Sequence, residues 1–212
     1  MKQTFDNDEF LKKYAIDANE KYASYFERSN LFAAFLNRNE KIKTLLKHIK
    51  EILKLFGENF IQKFSNIIIS KNLGETLDNN FINQFQDKLM NEIKTEYNAN
   101  FGNANIDAII DKISSPKELI TTAQDIFNTS LSRTFKYTSL MDEKQRNALE
   151  NIKEDFLKEN GEFRQQQEDI AKQYLEDEQL WKTLTNTIDE ILESKGIEEK
   201  LKQNEEQLDV NG

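Results

Sequence analysis

His48 is the only histidine in the 212-residue chain, and general acid or base chemistry near neutral pH would fall to it first. It has no second histidine with which to hold a metal. The chain contains no cysteine, so there is also no thiolate for it to activate and no soft metal ligand. Projected on a helix, His48 falls on the flank between a lysine row and an apolar row, the position of a boundary histidine. Carboxylates recur at helical spacing as Glu92 with Glu96, Asp107 with Asp111, and Asp189 or Glu190 with Glu193. A di-iron site needs Glu-x-x-His on two helices, which one histidine cannot supply, and these pairs read as solvated helix faces. The stretch DNDEFLKKYAID fails as a calcium loop, with Phe10 and Leu11 where a ligand and a glycine are required. Neither GxGxxG nor GxxxxGK[ST] occurs. No catalytic residue, cofactor or metal site is expected.

Two cationic stretches remain. The segment SRTFKYTSLMDEKQR interleaves Arg133, Lys136, Lys144 and Arg146 with Phe135 and Tyr137, residue types that clamp phosphates and stack bases. It is a small cluster in an acidic chain, and its charges suit the end of a helix dipole. The segment KIKTLLKHIKEILKLF places Lys43, Lys47, Lys50 and Lys54 within an arc of about 60°, nearly opposite Ile42, Leu45, Ile49, Ile52 and Phe56. A membrane-surface helix has this pattern. The apolar stripe, however, extends upstream through Phe32 and Phe35, and neighbouring segments carry matching stripes that need burial. The lysine row is therefore expected to be the outer face of a core helix, turned toward an acidic partner in the same or another molecule.

An acidic partner exists within the sequence. Residues 1–56 hold 11 Lys and Arg against 8 Asp and Glu, residues 57–141 hold 8 against 10, and residues 142–212 hold 10 against 20. The formal net charge is −9, which disfavours general nucleic-acid binding.

These residues must be positioned by helices. One proline and six glycines interrupt the chain, and good helix formers fill the rest, so the fold expected is all-α: a multi-helix bundle with a long, charged C-terminal helical arm or hairpin. Asp8 is expected to cap a first helix to Arg28, with Phe10, Tyr14, Ala18, Tyr22 and Phe26 on one side. Ser29 or Asn30 would start a second that Gly57 ends, a third would run over 58–70 to a stop at Gly74, and Asp78 would start a fourth over 78–98. The Asn- and Gly-rich stretch 98–107 suggests an internal boundary, followed by a short helix over 106–113. Ser115, Pro116 and Glu118 form a capping-box signature for the next, and Asp142 is a further cap.

From Asp142 the pattern changes. Leu149, Phe156, Phe163 and Ile170 recur every seven residues, and Tyr174, Trp181 and Ile188 resume the step after a four-residue stutter. Gly161 is expected to break this arm and Gly196 to end it. The domains expected are a helical core over 1–141, an acidic arm over 142–196, and a short helix and tail over 197–212. The longest apolar run, LFAAFL, is far below the roughly 20 residues of a membrane span, and MKQTFDNDEF offers no apolar signal core. A cytoplasmic setting, or a particle assembled there, is expected.

The function expected is that of a non-enzymatic helical interaction or assembly protein, a subunit or adaptor of a larger complex. Its Asn-, Ile-, Lys- and Phe-rich composition suggests a virion or mobile-element structural component from an AT-rich genome. The alternative is a soluble inhibitor or effector whose acidic helical surface mimics nucleic acid and binds a basic partner. A protein partner or self-association is expected, with neither membrane nor direct nucleic-acid binding. The candidate interaction surface comprises Lys43, Lys47, Lys50, Lys54, Phe156, Phe163, Ile170, Tyr174, Trp181 and Ile188.

Overall fold

The computed structural model describes residues 20–102, 106–137, 141–177 and 180–211, and all its regular elements are helices: α1 (Glu20–Ser70), α2 (Asn79–Phe101), α3 (Ile106–Lys112), α4 (Pro116–Phe135), α5 (Glu143–Leu157), α6 (Glu162–Asp177) and α7 (Leu180–Asn211). The expected positions Asp8, Phe10, Tyr14 and Ala18 lie outside the described residues, as do the side chains of Phe32, Phe35 and Trp181. No strand occurs among the described residues.

The chain forms two compact units, Lys43–Ile188 and the combination of Met1–Ile42 with Asp189–Gly212. This division differs from the expected boundaries at 98–107 and 141/142. In the larger unit, residues after 142 share one core with those before it. In the smaller unit, Ile42 and Ile191 are buried, and Lys41 forms an ion pair with Glu190.

Helix α1 runs through both Ser29 and Gly57, where stops and starts were expected. Its buried stripe explains why. Ile42, Leu45, Ile49, Ile52, Phe56, Phe60, Phe64 and Ile68 follow one another in steps of three and four with no phase break at Gly57, and all are buried. An interior glycine costs a helix about 1 kcal/mol relative to alanine, while burying each large apolar side chain contributes roughly 1.5–3 kcal/mol. Burial therefore decides the outcome. The helix ends in a Schellman motif at Asn72, whose φ is 56°. The Leu73 N–H donates to the Ile68 carbonyl at 2.9 Å and the Asn72 N–H to that of Ile69 at 3.1 Å. Asn72, not Gly74, is the left-handed residue.

The caps hold more closely to expectation. The Asp78 carboxylate accepts from the Phe81 N–H at 2.9 Å and starts α2. The Ser115 hydroxyl oxygen accepts from the Glu118 N–H at 3.1 Å, with Pro116 in the first turn of α4. The Glu118 carboxylate accepts instead from the Ser114 hydroxyl, so only half of the expected box forms there. The complete box lies at Asp142: its carboxylate accepts from the Gln145 N–H at 2.8 Å, and the Gln145 side chain accepts from the Asp142 N–H at 3.1 Å. Gly161 does separate α5 from α6, whereas α7 passes through Gly196 without ending.

Phenylalanine builds the core of the larger unit. The Phe60 ring of α1 lies 5.9 Å from Phe85 of α2, 6.2 Å from Phe127 of α4, 5.0 Å from Phe156 of α5 and 6.0 Å from Phe163 of α6. One fully buried side chain thus touches five helices, its own included. Aromatic pairs at such distances add to area burial.

Candidate functional site

Nine of the ten candidate interaction residues separate into three groups, the side chain of Trp181 lying outside the described residues. Phe156, Phe163 and Ile188 are buried in the larger unit's own core, which corrects their expected place on a docking row. Lys43, Lys47, Lys50 and Lys54 are exposed along α1, with the Lys50 ammonium 5.1 Å from the centre of the Tyr97 ring. Ile170 and Tyr174 are half-buried on α6 and line a groove.

The division within the seven-residue row has a structural cause. Helix α6 buries Phe163, Gln167, Ala171 and Leu175, a row in steps of four that passes through one amide and one small residue. Ile170 and Tyr174 lie beside that row. Gln167 is buried against Asn128 of α4 in a reciprocal amide pair, each side chain donating to the other's oxygen at 3.0 Å. The sequence reading singled out neither amide; the spacing 163, 167, 171, 175 was the signal that would have placed Gln167 inside.

Ile170 and Tyr174 face α1 across a groove of about 400 Å³, also lined by Leu55, Asp169, Gln173 and Asp177. At one end His48 Nδ1 lies 3.1 Å from the Tyr174 hydroxyl, which gives the half-buried histidine a structural partner. The floor is apolar and the rim is acidic. Gln165 donates to the Asp169 carboxylate at 3.1 Å and Gln173 to that of Asp177 at 3.3 Å. These amide bonds orient the carboxylates without neutralising them. On the same helix Glu168 is different: its hydrogen bond and ion pair with Lys172, at 2.8 Å, hold its carboxyl below the usual carboxylate range and raise the ammonium.

The other sequence candidates are engaged elsewhere. Glu92 pairs with Lys88 at 3.0 Å and Glu96 with Arg133 at 2.6 Å. Phe135 is buried, and the Lys88 ammonium lies 3.9 Å from the centre of the Tyr137 ring. Arg133, Phe135 and Tyr137, at and just past the end of α4, therefore pack against α2 and do not form an open clamp. The acidic partners of α1 also prove to be different from those expected. Lys71, just past the helix, pairs with Asp155 at 3.3 Å and donates to the Asn151 carbonyl at 2.8 Å, and Lys63 lies 3.9 Å from Glu162. Exposed pairs of this kind are worth about 0–1 kcal/mol each, so they orient α5 and α6 more than they stabilise them.

Among the described residues, no group of three or more His, Asp and Glu side chains is placed to hold a metal ion, and no helix is long and apolar enough to cross a membrane. No family model matches the chain, and neither does any curated protein or solved structure, so functional inference rests on its own geometry.

Proposed function

We propose that this chain is a non-enzymatic helical interaction protein, a subunit or adaptor of a larger assembly, and that it docks a protein partner in the groove between α1 and α6. The observation that carries the proposal is the apolar floor of Leu55, Ile170 and Tyr174 beneath the carboxylates of Asp169 and Asp177. Half-buried apolar side chains offer area to a partner, while a rim of unneutralised charge selects its sign and register. The matching partner presents a helix or loop with apolar residues flanked by lysine or arginine. Composition supports a finer reading, a virion or mobile-element structural component.

A nucleic-acid mimic would need a continuous negative face. Here Lys63, Lys71, Lys153 and Lys172 pair with acids of α5 and α6 and interrupt it, which favours docking of a protein.

Carbodiimide cross-linking in a lysate of the source cells, read by mass spectrometry, tests the proposal, because it joins carboxylates only to amines in contact with them. Asp169 or Asp177 should be joined to lysines of one partner, or of a second copy. Ile170→Ala with Tyr174→Ala, which keeps both carboxylates and removes the apolar floor, should diminish those links and leave the helical circular dichroism unchanged. Identical cross-links from this variant would refute docking at the groove.

A further inference from the structure

A second groove lies between α1 and α2, where the lysine row of α1 runs into it. It measures about 480 Å³ and is lined chiefly by Lys54, Gly57, Ile61, Ser65, Leu89 and Met90, with Glu58 as the one acidic side chain among its described lining residues. Its α1 residues continue the lysine row. Lys43, Lys47, Lys50, Lys54, Gly57, Ile61 and Ser65 follow one another at three- and four-residue steps, which is one stripe on a helix. The stripe is cationic for about 16 Å and then uncharged for about 12 Å. Neither Lys47 nor Lys54 forms an ion pair with another described residue, and both are exposed.

Gly57 marks the change from charged to uncharged. A Cβ built there meets no atom within 4 Å, so the fold has room for alanine, which is also the better helix former. Glycine at this position serves no packing need of the chain itself; it keeps the groove floor open to the close approach of another molecule. Met90, 45% exposed on the opposite wall, supplies a side chain that adapts to what it meets.

We infer that this stripe docks an acidic amphipathic helix of a partner protein, with its apolar face over Gly57, Ile61 and Met90 and its carboxylates over Lys47 and Lys54. Charge complementarity selects that occupant. Leu89 is buried and Ile61 half-buried, so Met90 alone of the groove's large apolar side chains is exposed, too little to enter a lipid surface, and nucleic acid offers no apolar ridge to fill the groove. The site is separate from the acidic groove on α6 and stands or falls independently of it.

The test uses the full chain and two synthetic helical peptides of about 22 residues with identical composition, one carrying a leucine stripe followed by a glutamate stripe and the other scrambled. Fluorescence anisotropy should show the ordered peptide binding at least about tenfold more tightly than the scrambled one. Lys47→Glu with Lys54→Glu should weaken it by about tenfold or more, as should Gly57→Leu, which fills the groove floor. Asp169→Lys with Asp177→Lys should leave it unchanged, which separates failure here from failure at the α6 groove. Equal binding of both peptides would overturn the inference, as would full affinity in the lysine variant. Concentration-dependent self-association that Lys47→Glu with Lys54→Glu abolishes would make a second copy the occupant and overturn it as well.

Discussion

At the scale of single residues, the buried amide pair tests how the larger unit fixes its helix register. Asn128 and Gln167 satisfy one another across α4 and α6 at 3.0 Å in both directions. Asn128→Ala would leave the fully buried Gln167 amide without its partner, and such an orphan costs about 1–3 kcal/mol. Replacing both by leucine should cost less than that single change. A double-mutant cycle measured by urea denaturation checks this, and simple additivity would show that the pair carries no coupling. Tyr97 makes a second residue-scale case. Burial raises its phenol above the ordinary value of 10.0, in spite of the Lys50 ammonium above the ring. A raised pKa contributes stability that is fully present below the unfolded value and is lost as pH rises through the folded one. Tyr97→Phe should therefore remove part of the loss of stability at alkaline pH, seen as a shallower fall in melting temperature between neutral and alkaline buffers. An unchanged profile would mean that the phenol is as well solvated in the folded chain as in the unfolded one. The phenylalanine core was half legible: Phe56 was expected inside, whereas Phe156 and Phe163 were expected on a docking row and are buried instead. The amide pair was not legible, since an amide in the sequence looks the same whether water or another amide satisfies it.

At the scale of elements, helix starts were easier to read than helix ends. Asp78, Ser115 and Asp142 all cap as their sequence context implied, because a side-chain oxygen beside free N–H groups is a local interaction. Ser115→Ala or Asp142→Ala should each cost about 1 kcal/mol in thermal or denaturant unfolding. The glycines misled for the converse reason. A left-handed terminus is one use of glycine, but at Gly57 the in-phase apolar stripe on both sides outweighs the local penalty. Gly57→Ala should accordingly stabilise the protein by about 0.5–1 kcal/mol, whereas an obligatory helix stop would make the same change destabilising. In α6 the seven-residue rhythm suggested a seam for a partner, and the helix instead buries the four-residue row through Gln167 and Ala171. That shift turns Phe163 inward and leaves Ile170 and Tyr174 at the groove. The groove was thus half legible: two of its apolar residues were identified, but Leu55 and the orienting glutamines depend on how two distant segments meet.

At the scale of the whole molecule, the unequal charge along the sequence has a specific structural use within the larger unit. The acid-rich α5 and α6 pack beside α1 with an exposed ion pair at Lys71 and a half-buried one at Lys63, so their attraction sets orientation, while the shared phenylalanine core supplies the stability. Phe60→Ala should cost about 3–5 kcal/mol and lower the melting temperature of the entire larger unit, because its ring meets four other helices. Around α1 the surface then presents an acidic groove toward α6 and, toward α2, a groove of balanced lining charge that continues the exposed lysine row. The most direct test of this account is carbodiimide cross-linking of the wild-type chain beside Ile170→Ala with Tyr174→Ala, which keeps the Asp169 and Asp177 carboxylates. Links from Asp169 or Asp177 to one protein, diminished in the variant while its circular dichroism stays the same, are the predicted result. A wild-type chain whose α6 carboxylates join only its own lysines would contradict it.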